Sequence, residues 1–272
     1  HLVDHWQEAN ADALQKPVAM VRDLFSKFPL IPAAKAFLSK ELGQSGLATL
    51  RPPLMALTDQ QSHDLIASLK AAGHALAQGL CALGLAVLPW TQALHSLCAR
   101  IEFLRNIDAA WPDCSEQGLL QQDMVWLQPF LGGLTALADL TPSLLEQALL
   151  YRLDAAQKRA LDTAAPASFT APTGQTHAID YTQAEGPVLS IRVQELFGLK
   201  VHPSVAGGKI PLILHLLSPA HRPIQITRDL PGFWAGSWAA VKSEMKGRYP
   251  KHVWPDDPAQ ASPTTRAKPR GL

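Results

Sequence analysis

Leu94, Leu97, Cys98, Ile101 and Leu104 recur at intervals of three and four, the spacing that lines one face of a helix with apolar side chains. The pattern predicts a helix over TQALHSLCARIEFLRNID, opened by Thr91, whose hydroxyl can accept from a first-turn N–H. The same signals run through the whole front of the chain. Pro17 and Pro32 suit first-turn positions of helices ending near Phe28 and Leu42, the second stopped by Gly43. Thr58 or Asp59 can cap a long helix through the 60s and 70s, after a loop around Arg51-Pro52-Pro53. Ser115 and Thr141 predict helices in SEQGLLQQDMVWLQPF and TPSLLEQALLYRL, and in the second Ser143 and Glu146 stand at capping-box spacing.

At Ala165-Pro166 the pattern changes. THAIDY, PVLSIRVQELF, KIPLILHLL and PIQITRD are rich in Val and Ile and are separated by EGP, AGG and SPAHRP, which are turn or loop material. Leu212 to Leu217 and Pro223 to Thr227 flank a loop of hairpin length. Asp229 can cap a closing helix with Pro231 in its first turn, running from Leu230 to Lys246 and ended by Gly247. The expected fold class is α+β: a mostly helical N-terminal part, then a small mixed or antiparallel sheet with a closing helix. The expected organisation is a helical region over residues 1–163, an α+β region over 164–258, and a disordered basic tail over 259–272, where Pro, Thr, Ala and Lys dominate SPTTRAKPRGL.

Composition adds bounds. At 272 residues and 47% hydrophobic, the chain can bury a sizeable core in one or two domains. Its net charge is only +1, but the distribution is uneven. Residues 200–272 carry eleven Lys or Arg against four Asp or Glu, so an acidic front precedes a basic end. Cys81, Cys98 and Cys114 are odd in number and form no CxxC, which points away from a disulfide framework or a zinc ribbon and towards a reducing, cytoplasmic setting. No charged residue stands between Lys70 and Arg100. That window could span a bilayer by length, but Gly73, His74, Gln78, Gly79, Gly84 and Pro89 lower its hydrophobicity, and it reads as a buried helix. The chain opens on His1 with no leader pattern, and it reads as an excised or incomplete piece.

Catalytic signatures fail on inspection. In VAGGKIP, Ile210 stands where a phosphate-binding loop needs Ser or Thr, and Pro203 stands where its first glycine belongs. Neither GxSxG nor HExxH occurs, so no catalytic residue is assigned. His1 and His5 have a spacing that could put two imidazoles on one helical face, but a lone pair at a terminus reads as surface and no metal site is expected. His215, within an apolar strand, reads as a satisfied sheet residue. The chemistry is concentrated in EMKGRYPKHVWPDDP, residues 244–258. Lys246, Arg248, Lys251 and His252 offer charge-assisted donors to phosphates, and Tyr249 and Trp254 offer flat faces for an unstacked base. The competing reading makes Trp254, with Trp234, an anchor in an apolar cleft around which the charges are merely solvated.

Four blocks carry a resemblance: LGLAVLPWTQALHSLCARIEFLR (83–105), GPVLSIRVQELFGL (186–199), VAGGKIPLILHLLSPAHRPIQITRDLPGFW (205–234) and EMKGRYPKHVWPDDP. Together they resemble the C-terminal region of HrpB-type bacterial DEAH-box ATP-dependent helicases, from about residue 83 to 270. The resemblance implies a full-length parent in which RecA-like domains bind ATP and magnesium, with no cofactor in this chain. It implies RNA or another single-stranded nucleic acid as partner, a helicase core in cis, and no membrane. Residues 1–80 match poorly; the helical bundle that lines the nucleic-acid channel of such enzymes is the expected home of the front helices. Two roles follow for the region: an accessory module that binds nucleic acid, or a structural module that docks on the core or a partner protein.

Overall fold

The computed structural model describes residues 19, 23, 26–41, 43–131, 134 and 139–266. The helix expected before Phe28 lies largely outside them, as do His1 and His5. The fold class is α+β. The chain divides into two compact units, one made of His1–Leu94 with Asp113–Leu153, the other of His95–Pro112 with Asp154–Leu272.

The first unit is helical. Helix α1 (Leu30–Glu41) is followed by α2 (Asp59–Leu83), which is opened by a reciprocal capping box: Thr58 Oγ1 accepts from the Gln61 N–H while the Gln61 side chain accepts from the Thr58 N–H. Ala33, Leu65, Leu69 and Ala72 form a buried cluster between these helices, with Phe28, Phe37 and Leu57 packed against it. After α3 (Gln92–Ile107), the stretch expected to be one helix from Ser115 is broken into α4 (Glu116–Leu120), a tight turn, and α5 (Gln128–Leu131). The break lies at Gln122, Asp123 and Met124, which all adopt φ near +51°, a left-handed conformation that no continuous helix can contain. Burial explains it: Met124, Trp126 and Leu127 are all enclosed, and Trp126 donates from Nε1 to the Leu119 carbonyl at 2.8 Å. Helix α6 (Pro142–Tyr151) is capped by Thr141, whose hydroxyl accepts from Leu144 N–H.

The second unit holds most of α3, then α7 (Ala155–Ala164), β1 (Ser168–Thr170), β2 (Thr176–Asp180) and β3 (Val188–Arg192). A capping box opens α7, between Asp154 and Gln157, rather than the Ser143 and Glu146 pair of α6. The short strands β4 (Ser204–Val205) and β5 (Ile210–Pro211) form a separate hairpin. Strands β6 (Ile213–Leu217) and β7 (Pro223–Thr227) and helices α8 (Leu230–Ala235) and α9 (Trp238–Arg248) complete the unit. The main sheet has the order β1-β2-β3-β6-β7 and is antiparallel except for the central β3–β6 pair. Leu189, Ile191, Leu214 and Leu216 are buried at its centre.

The units divide at places other than a single join near residue 163. Residues 95–112 go with the sheet because Arg100 of α3, itself buried, donates from Nε to the Ala165 carbonyl and pairs through Nη2 with Asp162, while Phe103 lies 5.0 Å from the Tyr181 ring. Tyr181 in turn donates to the Pro166 carbonyl at 2.8 Å. Burial of that phenol pushes its pKa well above the ordinary value of 10 and keeps it a donor.

Among the described residues, no helix is long and apolar enough to cross a membrane.

Candidate nucleic-acid interface

The closing helix expected over Leu230 to Lys246 is interrupted. Asp229 caps α8, accepting from Gly232 N–H at 2.9 Å, but α8 ends at Gly236 and α9 starts afresh at Trp238. The interruption turns Phe233, Trp234 and Trp238 onto one another. Trp238, only 2% exposed, lies 5.5 Å from Trp234 and 5.6 Å from Phe197, both edge to face, and Phe233 joins the cluster. Such tilted and edge-on pairs are favoured by the ring quadrupole as well as by burial.

The residues after α9 fold back over this cluster. Trp254 is half-buried with its ring 6.0 Å from Trp238, and its Nε1 donates to the Tyr249 carbonyl at 3.0 Å. Trp238 Nε1 donates to the Pro255 carbonyl at 2.9 Å, and Trp234 Nε1 to the Leu199 carbonyl at 3.1 Å. Every indole N–H of the cluster thus finds a backbone acceptor. The chain then continues along the sheet unit. Gly198 N–H donates to the Pro258 carbonyl, Thr264 N–H to the Gln194 carbonyl, and Arg192 Nη1 to the Thr265 carbonyl. Residues 259–266, expected to be disordered, are therefore tied down. Their composition is poor in apolar groups, and it is the otherwise unmet backbone groups of the buried Val193–Leu196 turn and Gly198 that hold them.

The polar residues of the motif divide. Lys246 and Lys251 are exposed, and among the described residues neither is held in an ion pair. Arg248 is also exposed, at 65%, and makes an i,i+4 pair with Glu244 at 3.0 Å, an interaction worth only about 0.3–0.5 kcal/mol at a surface. Lys242 pairs with Asp256 and, with Lys246 further away, holds that carboxyl below the ordinary range.

Tyr249 is half-buried. Its hydroxyl lies 3.3 Å from Ser218 Oγ, and its ring stands edge-on to His252 at 6.3 Å. His252 differs from the lysines. Its Nδ1 is buried with no hydrogen-bond partner, and burial, aided by the charge of Arg192, pulls its pKa below the ordinary 6.5. It is a poorer phosphate donor than its position in the motif promises.

Other features take structural roles. The Val205–Lys209 stretch turns β4 into β5, with Ala206, Gly207 and Gly208 all at positive φ. His215 sits mid-sheet between Ser190 and Ile226. Glu195, missed in the sequence, is 1% exposed and accepts from Arg192 Nε at 2.8 Å, with His177 Nε2 at 2.9 Å. No spacing advertised it, because the three groups come from two strands and a turn. Among the described residues, no group of three or more His, Cys, Asp or Glu could hold a metal ion.

Residues 126–258 match the family described as ATP-dependent helicase C-terminal, HrpB_C. Over 199 residues, 72% of this chain, the sequence is 44% identical to the ATP-dependent RNA helicase HrpB of Escherichia coli (strain K12), of which it spans 24%. The crystal structure of the E. coli DExH-box NTPase HrpB superposes with a TM-score of 0.63 at 41% identity, covering 81% of this chain and 26% of that one. A second crystal structure, of the Escherichia coli DEAH/RHA helicase HrpB, gives 0.54 at 38% identity, covering 76% and 25%. The chain thus spans about a quarter of the length of the relatives it matches.

Proposed function

From its place among the C-terminal regions of HrpB-type helicases, we propose that this chain is an accessory module that binds single-stranded RNA through the turn at the end of α9. ATP and magnesium chemistry belongs, in this reading, to other parts of a longer cytoplasmic helicase, and this chain supplies a hold on the strand that the motor moves. The observation that carries the reading is the division of labour within KGRYPKHVWPDDP. Trp254 and the residues after it are engaged within their own unit, while Lys246 and Arg248 at the end of α9 and Lys251 in the turn that follows remain exposed. A fixed turn presenting cations around a tyrosine suits a polymer of phosphates and bases.

The alternative, docking of the motif on a helicase core, drew its support from Trp254 and the prolines around it. Trp254 already stacks near Trp238 within its own unit, which favours the nucleic-acid reading. The test is fluorescence anisotropy with a labelled oligouridylate across a salt series. Replacing Lys246, Arg248 and Lys251 by Gln should flatten the log–log salt dependence by about 0.7 for each phosphate no longer neutralised. Tyr249→Ala should cost about 1–3 kcal/mol of binding without a matching change in slope. Unchanged affinity at low salt across the charge variants would transfer the motif to docking.

A further inference from the structure

The loop between β6 and β7 stands against the closing motif. Ser218-Pro219-Ala220-His221-Arg222 is stitched shut by its own hydrogen bonds: Ser218 N–H donates to the Arg222 carbonyl at 2.8 Å, His221 N–H to the Ser218 carbonyl at 2.9 Å, and Arg222 N–H to Ser218 Oγ at 3.1 Å. Ser218, 2% exposed, uses that same Oγ to reach the Tyr249 hydroxyl at 3.3 Å. One buried hydroxyl therefore closes the loop and couples it to Tyr249, 31 residues further on.

His221 takes φ of +57°, where a non-glycine residue is strained. Arg222 follows it and is exposed. Its N–H and carbonyl are used in the loop, and among the described residues its guanidinium is in no ion pair. The loop is thus a hydrogen-bonded, slightly strained bracket carrying an exposed cation that no ion pair engages among the described residues.

We propose that Arg222 is a second phosphate-contacting residue of the same single-strand site, placed beside Tyr249 by the Ser218 hydroxyl. The proposal rests on the nucleic-acid reading of the closing motif. It adds a chemical reason for choosing a strand over an isolated anion. The Ser218 hydroxyl joins the Tyr249 hydroxyl to the backbone of Arg222, while Arg248 and Lys251 stand beside Tyr249 in the chain, so in this reading a base on Tyr249 has a phosphate towards Arg248 and Lys251 and another towards Arg222. A guanidinium suits this role because its planar fork donates two hydrogen bonds to one phosphate.

The experiment uses the full chain and the labelled oligouridylate, with Arg222→Gln, Arg222→Lys, the pair Arg248→Gln with Lys251→Gln, and all three Gln changes together. Arg222→Gln should lower the salt slope by about 0.7, the triple change should lower it by the sum of the separate decreases, and Arg222→Lys should restore the slope while leaving affinity below that of the unaltered chain. Melting temperatures should stay constant, since among the described residues the exposed Arg222 guanidinium is in no ion pair. If the pair lowers the slope and Arg222→Gln does not, this proposal fails and the closing-motif reading stands. If neither changes it, both fail. A decrease from Arg222→Gln alone would overturn the shared site.

Discussion

His252 shows how a single residue can look like one thing in sequence and behave as another. Among Lys246, Arg248 and Lys251 it reads as a fourth cation, but burial of its ring and the nearby Arg192 charge keep it neutral near pH 7. Its folded pKa lies below the unfolded value of 6.5, so the unfolded chain binds the extra proton first. The stability contribution is fully present above pH 6.5 and is lost as pH falls towards the folded pKa. Urea unfolding at a series of pH values should show the unaltered chain weakening below that point more steeply than His252→Gln. Equal slopes would mean that the ring is as easily protonated folded as unfolded. Much else at this scale was legible. The caps Thr58, Ser115, Thr141 and Asp229 follow from side chains that reach only two or three residues along the chain. His252 was not, because burial and the charge of Arg192, which lies far from it in sequence, act on it through space. Arg222 lies in a loop that reads only as a hairpin connection, and its nearness to Tyr249 is equally invisible along the chain.

At the scale of elements, strand and helix positions were largely readable, since alternation and three-to-four spacing are properties of a single segment. Breaks in helices were not. Local break signals in SEQGLLQQDMVWLQPF and LPGFWAGSWAAVKSEMK are few, Pro129 and Gly236 among them, and the enclosure of Trp126 and Trp238 adds to them. The aromatic clasp at the end of α9 is the element whose energetics matter most to the interface. Trp254, half-exposed, should cost about 2 kcal/mol when changed to Ala, less than a fully enclosed indole would. Trp238→Ala should cost about 3–5 kcal/mol, because it empties the middle of the cluster. Thermal melts of the two variants rank them. A larger effect at Trp254 would mean that the clasp, rather than the cluster beneath it, holds the unit together.

For the whole molecule, sequence texture predicted one join where the compact units divide at several positions. The sequence pattern changes at Ala165-Pro166, yet Ala165 and Ala171 are buried and Arg100 and Tyr181 donate to the carbonyls of Ala165 and Pro166. Brief thermolysin treatment should therefore cut first between residues 50 and 58, where Leu54 is exposed and Met55 is 82% exposed, and should spare residues 165–171 and 258–265. Early cleavage near Ala165 would restore the simple two-part division. The fold-back of residues 253–265 bears finally on how the chain is made. Gln194 and Gly198 obtain their partners from Thr264 and Pro258, far later in the chain, so a ribosome must release almost the entire sheet unit before those backbone groups are met. Until then Trp234 and Trp238 lack their cover, and the nascent chain carries an aromatic patch of the kind that holding chaperones bind. Completion of the clasp is what ends that vulnerability, which makes synthesis through residue 265 the step at which this unit becomes safe from aggregation.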